Sequence, residues 1–208
     1  FILSKGHAGA SLYATLAYCG FFDKKLLLKH YQNGSKMSGH VSHKLPGVEL
    51  STGSLGHGLG VGCGFAYAAK LRGQSQRVYV LLSDGELNEG SNWEALQFAS
   101  HHKLNNLTVI VDYNKIQSLD TTKNTLNLEP LLDKFKSHNF LTYEIDGHSL
   151  IDLIKCFQDL SDSFESPKIV LCHTVKGKGV SFMENSILWH YRSPQGQEFN
   201  DAITELEK

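Results

Sequence analysis

Arg-Val-Tyr-Val-Leu-Leu-Ser-Asp-Gly-Glu-Leu-Asn-Glu-Gly, residues 77–90, and Leu-Thr-Val-Ile-Val-Asp-Tyr-Asn-Lys-Ile, residues 107–116, are two apolar runs that each end in a polar turn. Five-residue runs that are apolar throughout or but for one Thr, without alternation, fit strands buried on both faces, the pattern of a parallel sheet. Between them, residues 90–103 carry helical spacing. Downstream the same alternation continues: helix over 129–138, strand over 141–145, helix over 150–160 and strand over 168–173. Repeated βαβ units predict an α/β fold, a doubly wound, mostly parallel sheet with helices on both faces.

Upstream, Leu12, Leu16 and Ala17 recur at helical spacing and Gly20 closes that helix. A second short helix is expected from Asp23 to Tyr31. From Tyr31 to Thr52 the dipeptides Asn-Gly, Ser-Gly and Pro-Gly and the lack of any period predict a loop, long enough to be functional. Residues His57 to Leu71 carry glycines at 58, 60, 62 and 64, which weaken a helix but permit close packing; a buried helix stopped by Gly73 is expected. Phe1-Ile-Leu-Ser reads as the end of a strand, so the natural N-terminus is expected to precede Phe1. The tail from Gln197 to Lys208 has a weak helical pattern. No repeat or linker interrupts the chain, and residues 1–208 are expected to form one domain.

With 20 Lys and Arg against 21 Asp and Glu in 208 residues, the chain has no overall attraction for nucleic acid or anionic membranes, so any anion site must be local. The longest apolar runs fall far short of the roughly 20 residues of a membrane span. Cys19, Cys63, Cys156 and Cys172 form no CxxC pair and read as reduced core thiols of a cytoplasmic protein. Trp93 and Phe98 are expected in the core, and His101, His102 and His138 at solvated helix positions.

In open parallel sheets, ligands bind beyond the carboxyl ends of the strands, where loops lead into helices. Asp84 and Asn114 end the two decisive runs, 30 residues apart, enough for one crossover helix and therefore for adjacent strands. Asp84 offers a hard anionic oxygen, Asn114 a neutral one, and the Ile116 carbonyl a third. That set suits Mg2+ shared with a diphosphate, because Mg2+ takes few carboxylates and completes its shell with phosphate oxygens or water. Gly85 lets the backbone approach the phosphates closely. Taken singly, Asp-Gly and Asn-Lys are ordinary turns. Lys176, in Thr174-Val175-Lys176-Gly177-Lys178-Gly179, follows a strand and lies beside glycines, an arrangement that receives anions.

Asp84-Gly85-Glu86-Leu87-Asn88-Glu89-Gly90, Trp93-Glu94-Ala95, Leu104-Asn105-Asn106-Leu107 and Asp112-Tyr113-Asn114-Lys115-Ile116 together resemble, in order and spacing, the thiamine diphosphate motif of the transketolase family. The likeness extends to Ser4-Lys5-Gly6-His7-Ala8, Gly39-His40, Leu45-Pro46-Gly47-Val48-Glu49, Thr52 to Gly58, Thr174 to Gly179 and Trp189-His190. It implies the diphosphate-binding (PP) module of that fold. It also implies metal ligation by Asp84, Asn114 and Ile116, and cofactor contacts from Lys5, Gly53, Leu55, Gly85, Glu86, Glu89, Asn114, Lys176 and His190. The same resemblance gives His7, His40 and His190 as catalytic groups, with His7 and His40 facing the sugar hydroxyls and His190 around the cofactor, consistent with imidazoles that titrate near neutrality. Glu89, otherwise a favourable charge at a helix start, would lie near a subunit interface.

The implied activity is transfer of a two-carbon ketol unit between sugar phosphates with thiamine diphosphate and Mg2+ or Ca2+. A complementary pyrimidine-binding half is needed, as a separate subunit or the rest of a longer chain, in a dimer or heterotetramer. Ser83 stands where the family has Gly, and Tyr191-Arg192-Ser193 replace a small residue after His190, which narrows the expected substrate mouth. A further active-site His is implied before Phe1. Competing readings are 1-deoxyxylulose 5-phosphate synthesis, 2-oxo acid decarboxylation, or a non-catalytic subunit that retains the fold. His7 and His40 favour sugars, while joint retention of Asp84, Asn114 and Ile116 favours a working metal site. No GxGxxG follows an early strand, which disfavours a nicotinamide dehydrogenase.

Overall fold

Five parallel strands build the sheet of the computed structural model, which describes residues 1–162 and 165–208. They are β1 (Ile2–Leu3), β2 (Val78–Ser83), β3 (Leu107–Tyr113), β4 (Leu141–Asp146) and β5 (Lys168–His173), in the order β1-β2-β3-β5-β4. The helices are α1 (Gly9–Tyr18), α2 (Gly58–Leu71), α3 (Gly90–His101), α4 (Thr122–Leu126), α5 (Leu131–Ser137), α6 (Leu150–Asp162) and α7 (Gln197–Leu206). The α/β, doubly wound reading of the sequence holds.

Strand side chains alternate between two apolar layers. Val78, Val80 and Leu82 of β2, Val109 and Val111 of β3, and Ile169 and Leu171 of β5 pack with Leu59 and Ala66 of α2, Leu96 of α3 and Phe135 of α5. On the opposite face, Val170 and Cys172 of β5 meet Cys156 and Leu160 of α6. Leu3 packs there with Tyr13 and Leu16 of α1 and with Met37, Val41 and Leu45 of the long loop. Burial on both faces explains why these strands read as unbroken apolar runs. Helix α3 carries the chain from β2 to β3 over one face, while α6 brings it back from the edge strand β4 to β5 over the other.

Two sequence expectations change in kind. The segment after Asp23 is a 3-10 turn, Lys24–Lys29, capped by the Asp23 carboxylate on the Lys25 N–H at 2.8 Å, with Leu26 and Leu27 packed against the core. The short α4 was not anticipated, because its five residues show no apolar period; Thr121 caps it through the Asn124 N–H. The helix expected over 129–138 begins only at Leu131, after Pro130. Cys19 is exposed beyond the end of α1, unlike the three other free cysteines, which are buried.

Trp93 packs against the core and donates to the Leu87 carbonyl at 2.8 Å. Phe98 does not join it: the ring is 39% exposed, on the outer side of α3 against Tyr67 and His102. His102 is thereby half-buried rather than solvated, as is His138, which lies beside Trp93 and meets the Lys134 carbonyl at 2.8 Å. His101 is exposed as expected.

The glycines of α2 divide by direction. A Cβ on Gly62 would lie 2.4 Å from Val80 Cγ2, so the helix approaches the sheet more closely than alanine permits. Gly60 and Gly64 face open space. Gly62→Ala is therefore expected to lower unfolding free energy by about 1–3 kcal/mol through overpacking. Gly60→Ala should raise it by up to about 1 kcal/mol through helix propensity. Urea titration of both variants checks the pair, and equal stability of the two would contradict this packing.

Candidate active site

All five strands send groups past their carboxyl ends toward one cavity of about 590 Å³. Lys5 arrives from β1, Ser83 to Gly85 from β2, Asn114 to Ser118 from β3, His148 from β4, and Thr174 to Gly177 from β5. In the β2–β3 register Ser83 stands opposite Asp112, so Asp84 leaves the sheet beside the turn that carries Asn114.

Asp84 is 1% exposed, and backbone donors hold both its oxygens. The Gly85 N–H donates to Oδ1 at 2.6 Å and the Lys115 N–H to Oδ2 at 2.5 Å. The second bond crosses from one strand tip to the next and is possible because Lys115 adopts a left-handed conformation, φ 66°. Asn114 Oδ1 accepts from the Ile116 N–H at 3.0 Å, and Ile116 bridges to Thr121 to close the turn. Burial pushes the Asp84 carboxyl up to about 6, against the pull of the Lys115 and Gly85 N–H groups.

A second carboxylate, Asp112, lies on the same wall. The Lys5 ammonium pairs with one of its oxygens and the Thr174 hydroxyl donates to the other, joining the ends of β1, β3 and β5. Burial opposes its charge, but Lys5 and these hydrogen bonds outweigh that and hold the carboxyl below its ordinary value. Lys176 is also lowered, first by burial and then by the neighbouring Lys5.

Most of the expected site residues do meet here. Lys5, His7, Gly53, Leu55, Asp84, Gly85, Asn114, Ile116, Lys176 and His190 all line the cavity. The rings of His7 and His190 lie 5.6 Å apart. Burial, followed by the charges of His190, Lys5 and Lys176, lowers His7 to about 4; burial and Lys176 lower His190. His40 is not on this wall. Its ring abuts Gly53 and lines an adjoining cavity of about 390 Å³, shared with His7, Lys176 and His190.

Two expected cofactor contacts stand apart. Glu86 is turned back into the protein by the 3-10 turn Gly85–Asn88 and is fully buried, bonded to the Ser4 hydroxyl, to the Gly56 N–H at 2.8 Å and to the Ser83 N–H at 3.3 Å. It ties three site-forming segments together from behind, and burial raises its pKa. Glu89 is exposed at the start of α3, its stem against Gly56.

The sequence reading passed over Asp112, Gln117, Ser118, His148 and Thr174. Asp112 carried a signal, since a charge at the last turn of an apolar strand demands a partner. Gln117 had none, yet its Nε2 is buried with no hydrogen-bond partner, on the cavity wall beside Gly85. Tyr191, from the divergent Tyr191-Arg192-Ser193 segment, donates to the carbonyl of Ser118, a residue of the cavity wall, at 2.6 Å.

A doubly wound parallel sheet whose tips gather a buried carboxylate, an amide, two ammonium groups and two depressed imidazoles defines an α/β domain with a polar, charge-bearing site at its strand ends. The chain matches the family described as the thiamine diphosphate binding domain of transketolase over residues 1–203. It is 41% identical to one subunit of the apulose-4-phosphate transketolase of Actinobacillus succinogenes, aligning along the whole chain and 75% of that protein. The equivalent subunit from Phocaeicola vulgatus, which bears the same name, is 38% identical, with the whole chain covering 74% of it. Among solved structures, the transketolase of Campylobacter jejuni superposes with a TM-score of 0.91 at 30% identity, over 99% of this chain and 34% of that one. The chain belongs to the transketolase family of transferases, as its thiamine diphosphate-binding domain. It spans about a third of the solved transketolase it superposes on and about three quarters of the two apulose-4-phosphate transketolase subunits.

The depressed His7 has a thermodynamic sign. Its folded pKa lies below the unfolded value near 6.5, so the unfolded chain binds more protons between about pH 4 and 6.5. The contribution of His7 to stability is present above pH 6.5 and is lost as pH falls through that window. Imidazole NMR should find His7 neutral at pH 6; a midpoint at or above 6.5 would contradict the charge environment described.

Proposed function

We propose that this chain is the diphosphate-holding component of a two-part transketolase, requiring a complementary pyrimidine-binding domain or subunit. In this reading it binds thiamine diphosphate with Mg2+ or Ca2+ and moves a two-carbon ketol unit from a ketose phosphate to an aldose. The observation that carries the reading is the crossing of Asp84 from β2 to the Asn114–Ile116 turn of β3 at one cavity. Among the described residues no three His, Cys, Asp or Glu side chains are placed to hold a metal ion together, and the donors at the two strand tips are oxygens. One carboxylate, one amide and a carbonyl suit Mg2+ or Ca2+ with phosphate oxygens, and do not suit zinc. Gln117, on the same cavity wall, carries a buried Nε2 without a hydrogen-bond partner among the described residues.

Asp84 and Asn114 side chains and the Ile116 carbonyl would hold the metal, while Gly85, Gln117, Lys5 and Lys176 would face the diphosphate. Gly53 and Leu55 would lie under the aminopyrimidine. Exposed Glu89 would meet the partner next to Gly56, and Glu86 would support the site without touching the cofactor. Bound thiamine diphosphate supplies the electron sink for carbon–carbon cleavage. His7, uncharged at neutral pH, is able to take a proton from a substrate hydroxyl, with His190 and His40 orienting its neighbours. The two relatives are each named as one subunit of an apulose-4-phosphate transketolase, which supports both a sugar phosphate substrate and a partner chain.

Calorimetry on the chain with its complementary subunit tests this reading. Thiamine diphosphate is expected to bind only with Mg2+ or Ca2+ present, and Asp84→Asn should weaken it at least about tenfold, or 1.4 kcal/mol. The reconstituted pair should convert a ketose phosphate and an aldose. Metal-independent binding, or turnover of pyruvate without ketol transfer, would overturn the proposal.

A further inference from the structure

The adjoining cavity beside His40 has an aromatic wall that no mechanism above uses. Tyr31 opens the long loop and sits at φ 60°, in the left-handed region that a bulky side chain rarely occupies. Its N–H donates to the Met37 carbonyl at 3.0 Å, closing residues 31–37 into a tight loop. The side chain does not justify this backbone by burial: Tyr31 is 75% exposed, touching the edge of His30 with ring centroids 5.0 Å apart. Among the described residues nothing hydrogen-bonds its hydroxyl.

Space has been cleared for that hydroxyl. A Cβ on Gly39 would lie 2.0 Å from Tyr31 Oη, so the phenol occupies the space next to His40 that a side chain at position 39 would take. The cavity it lines also carries His7, His40, Lys176, Trp189 and His190, and so joins the diphosphate cavity through shared residues. A strained backbone, a free hydroxyl and a neighbour reduced to hydrogen converge on one surface, and strain of this kind persists where the surroundings impose it for a purpose.

We propose that Tyr31 is a substrate-contacting, specificity-determining residue whose hydroxyl hydrogen-bonds an oxygen of the polyol substrate in the cavity beside His40, with its ring forming the outer wall. The proposal rests on the two-carbon-transfer reading above and extends it to a residue outside the histidine set. The contact selects for substrates with a hydroxyl at that position, since a site built around a hydrogen bond rejects the analogue lacking it.

The test uses the reconstituted complex with cofactor and metal. Tyr31→Phe should raise KM for the ketose phosphate or for the aldose about tenfold, and calorimetry should show a matching loss of ligand affinity. Thiamine diphosphate affinity and Tm should not move. Tyr31→Asn, whose residue tolerates left-handed backbone, should have a Tm no lower than the natural chain and kcat/KM reduced more than tenfold. A merely structural Tyr31 would give the reverse: lower Tm and unchanged kinetics. Unchanged KM and ligand affinity in Tyr31→Phe overturn the proposal. Should the natural complex bind the ketose phosphate without transferring two-carbon units, the transfer reading fails alone, and the affinity difference between natural chain and Tyr31→Phe still decides on Tyr31. Absence of any ketose phosphate binding overturns both.

Discussion

The 2.5 Å bond from the Lys115 N–H to the Asp84 carboxylate fastens the tip of one strand to the turn beyond the next, and the rest of the site depends on it. Parallel pairing alone aligns Ser83 with Asp112 and then stops. Beyond that point the two loops are free to diverge unless something crosses between them. A buried carboxylate that accepts from its own next residue and from the neighbouring turn defines the spacing of Asp84, Gly85 and Asn114 without using a side-chain donor. Because those donors are backbone groups, the geometry rests at position 115 on a left-handed backbone rather than on a side-chain donor.

Charge balance then sorts the remaining groups. Two carboxylates and two ammonium groups line the cavity, but they are not equivalent. Asp112 is neutralised by Lys5 and braced by Thr174, so it acts as internal framework across three strand ends. Among the described residues Asp84 forms no ion pair, and burial raises its pKa although the Lys115 and Gly85 N–H groups and the Lys5 charge pull it down. Lys176 is the corresponding surplus cation. A neutral framework pair beside an uncompensated pair of opposite sign gives a locally polarised receptor inside a protein of nearly zero net charge, which is why whole-chain charge carried no hint of it.

The architecture was legible because strands buried on both faces leave long apolar runs, and because Asp84 and Asn114 fall at run ends, where chemistry in such sheets resides. The 3-10 turn at Lys24–Lys29 and the short α4 were not, since their conformations are decided by single caps, Asp23 and Thr121, rather than by any period. Phe98 read as core because helical spacing cannot say which side of α3 faces the sheet. Glu86 shows a different limit. Its place in the motif is real, but a 3-10 turn rotates successive side chains by about 120°, so adjacency to Gly85 did not mean adjacency to the cavity. Gln117 and Tyr31 left no trace in the sequence because an orphaned donor and a left-handed backbone become visible only when their surroundings are built.

The phenol of Tyr191, linked to the Ser118 carbonyl, closes a belt over the cavity mouth, and its buckle is a single hydrogen bond on an exposed ring. A bond of that type contributes about 1 kcal/mol, little more than thermal energy, so unbuckling is a frequent event that leaves every strand in register. Loss of that bond would free the Tyr191 ring from Ser118 while the pairing of the sheet strands stays as it is.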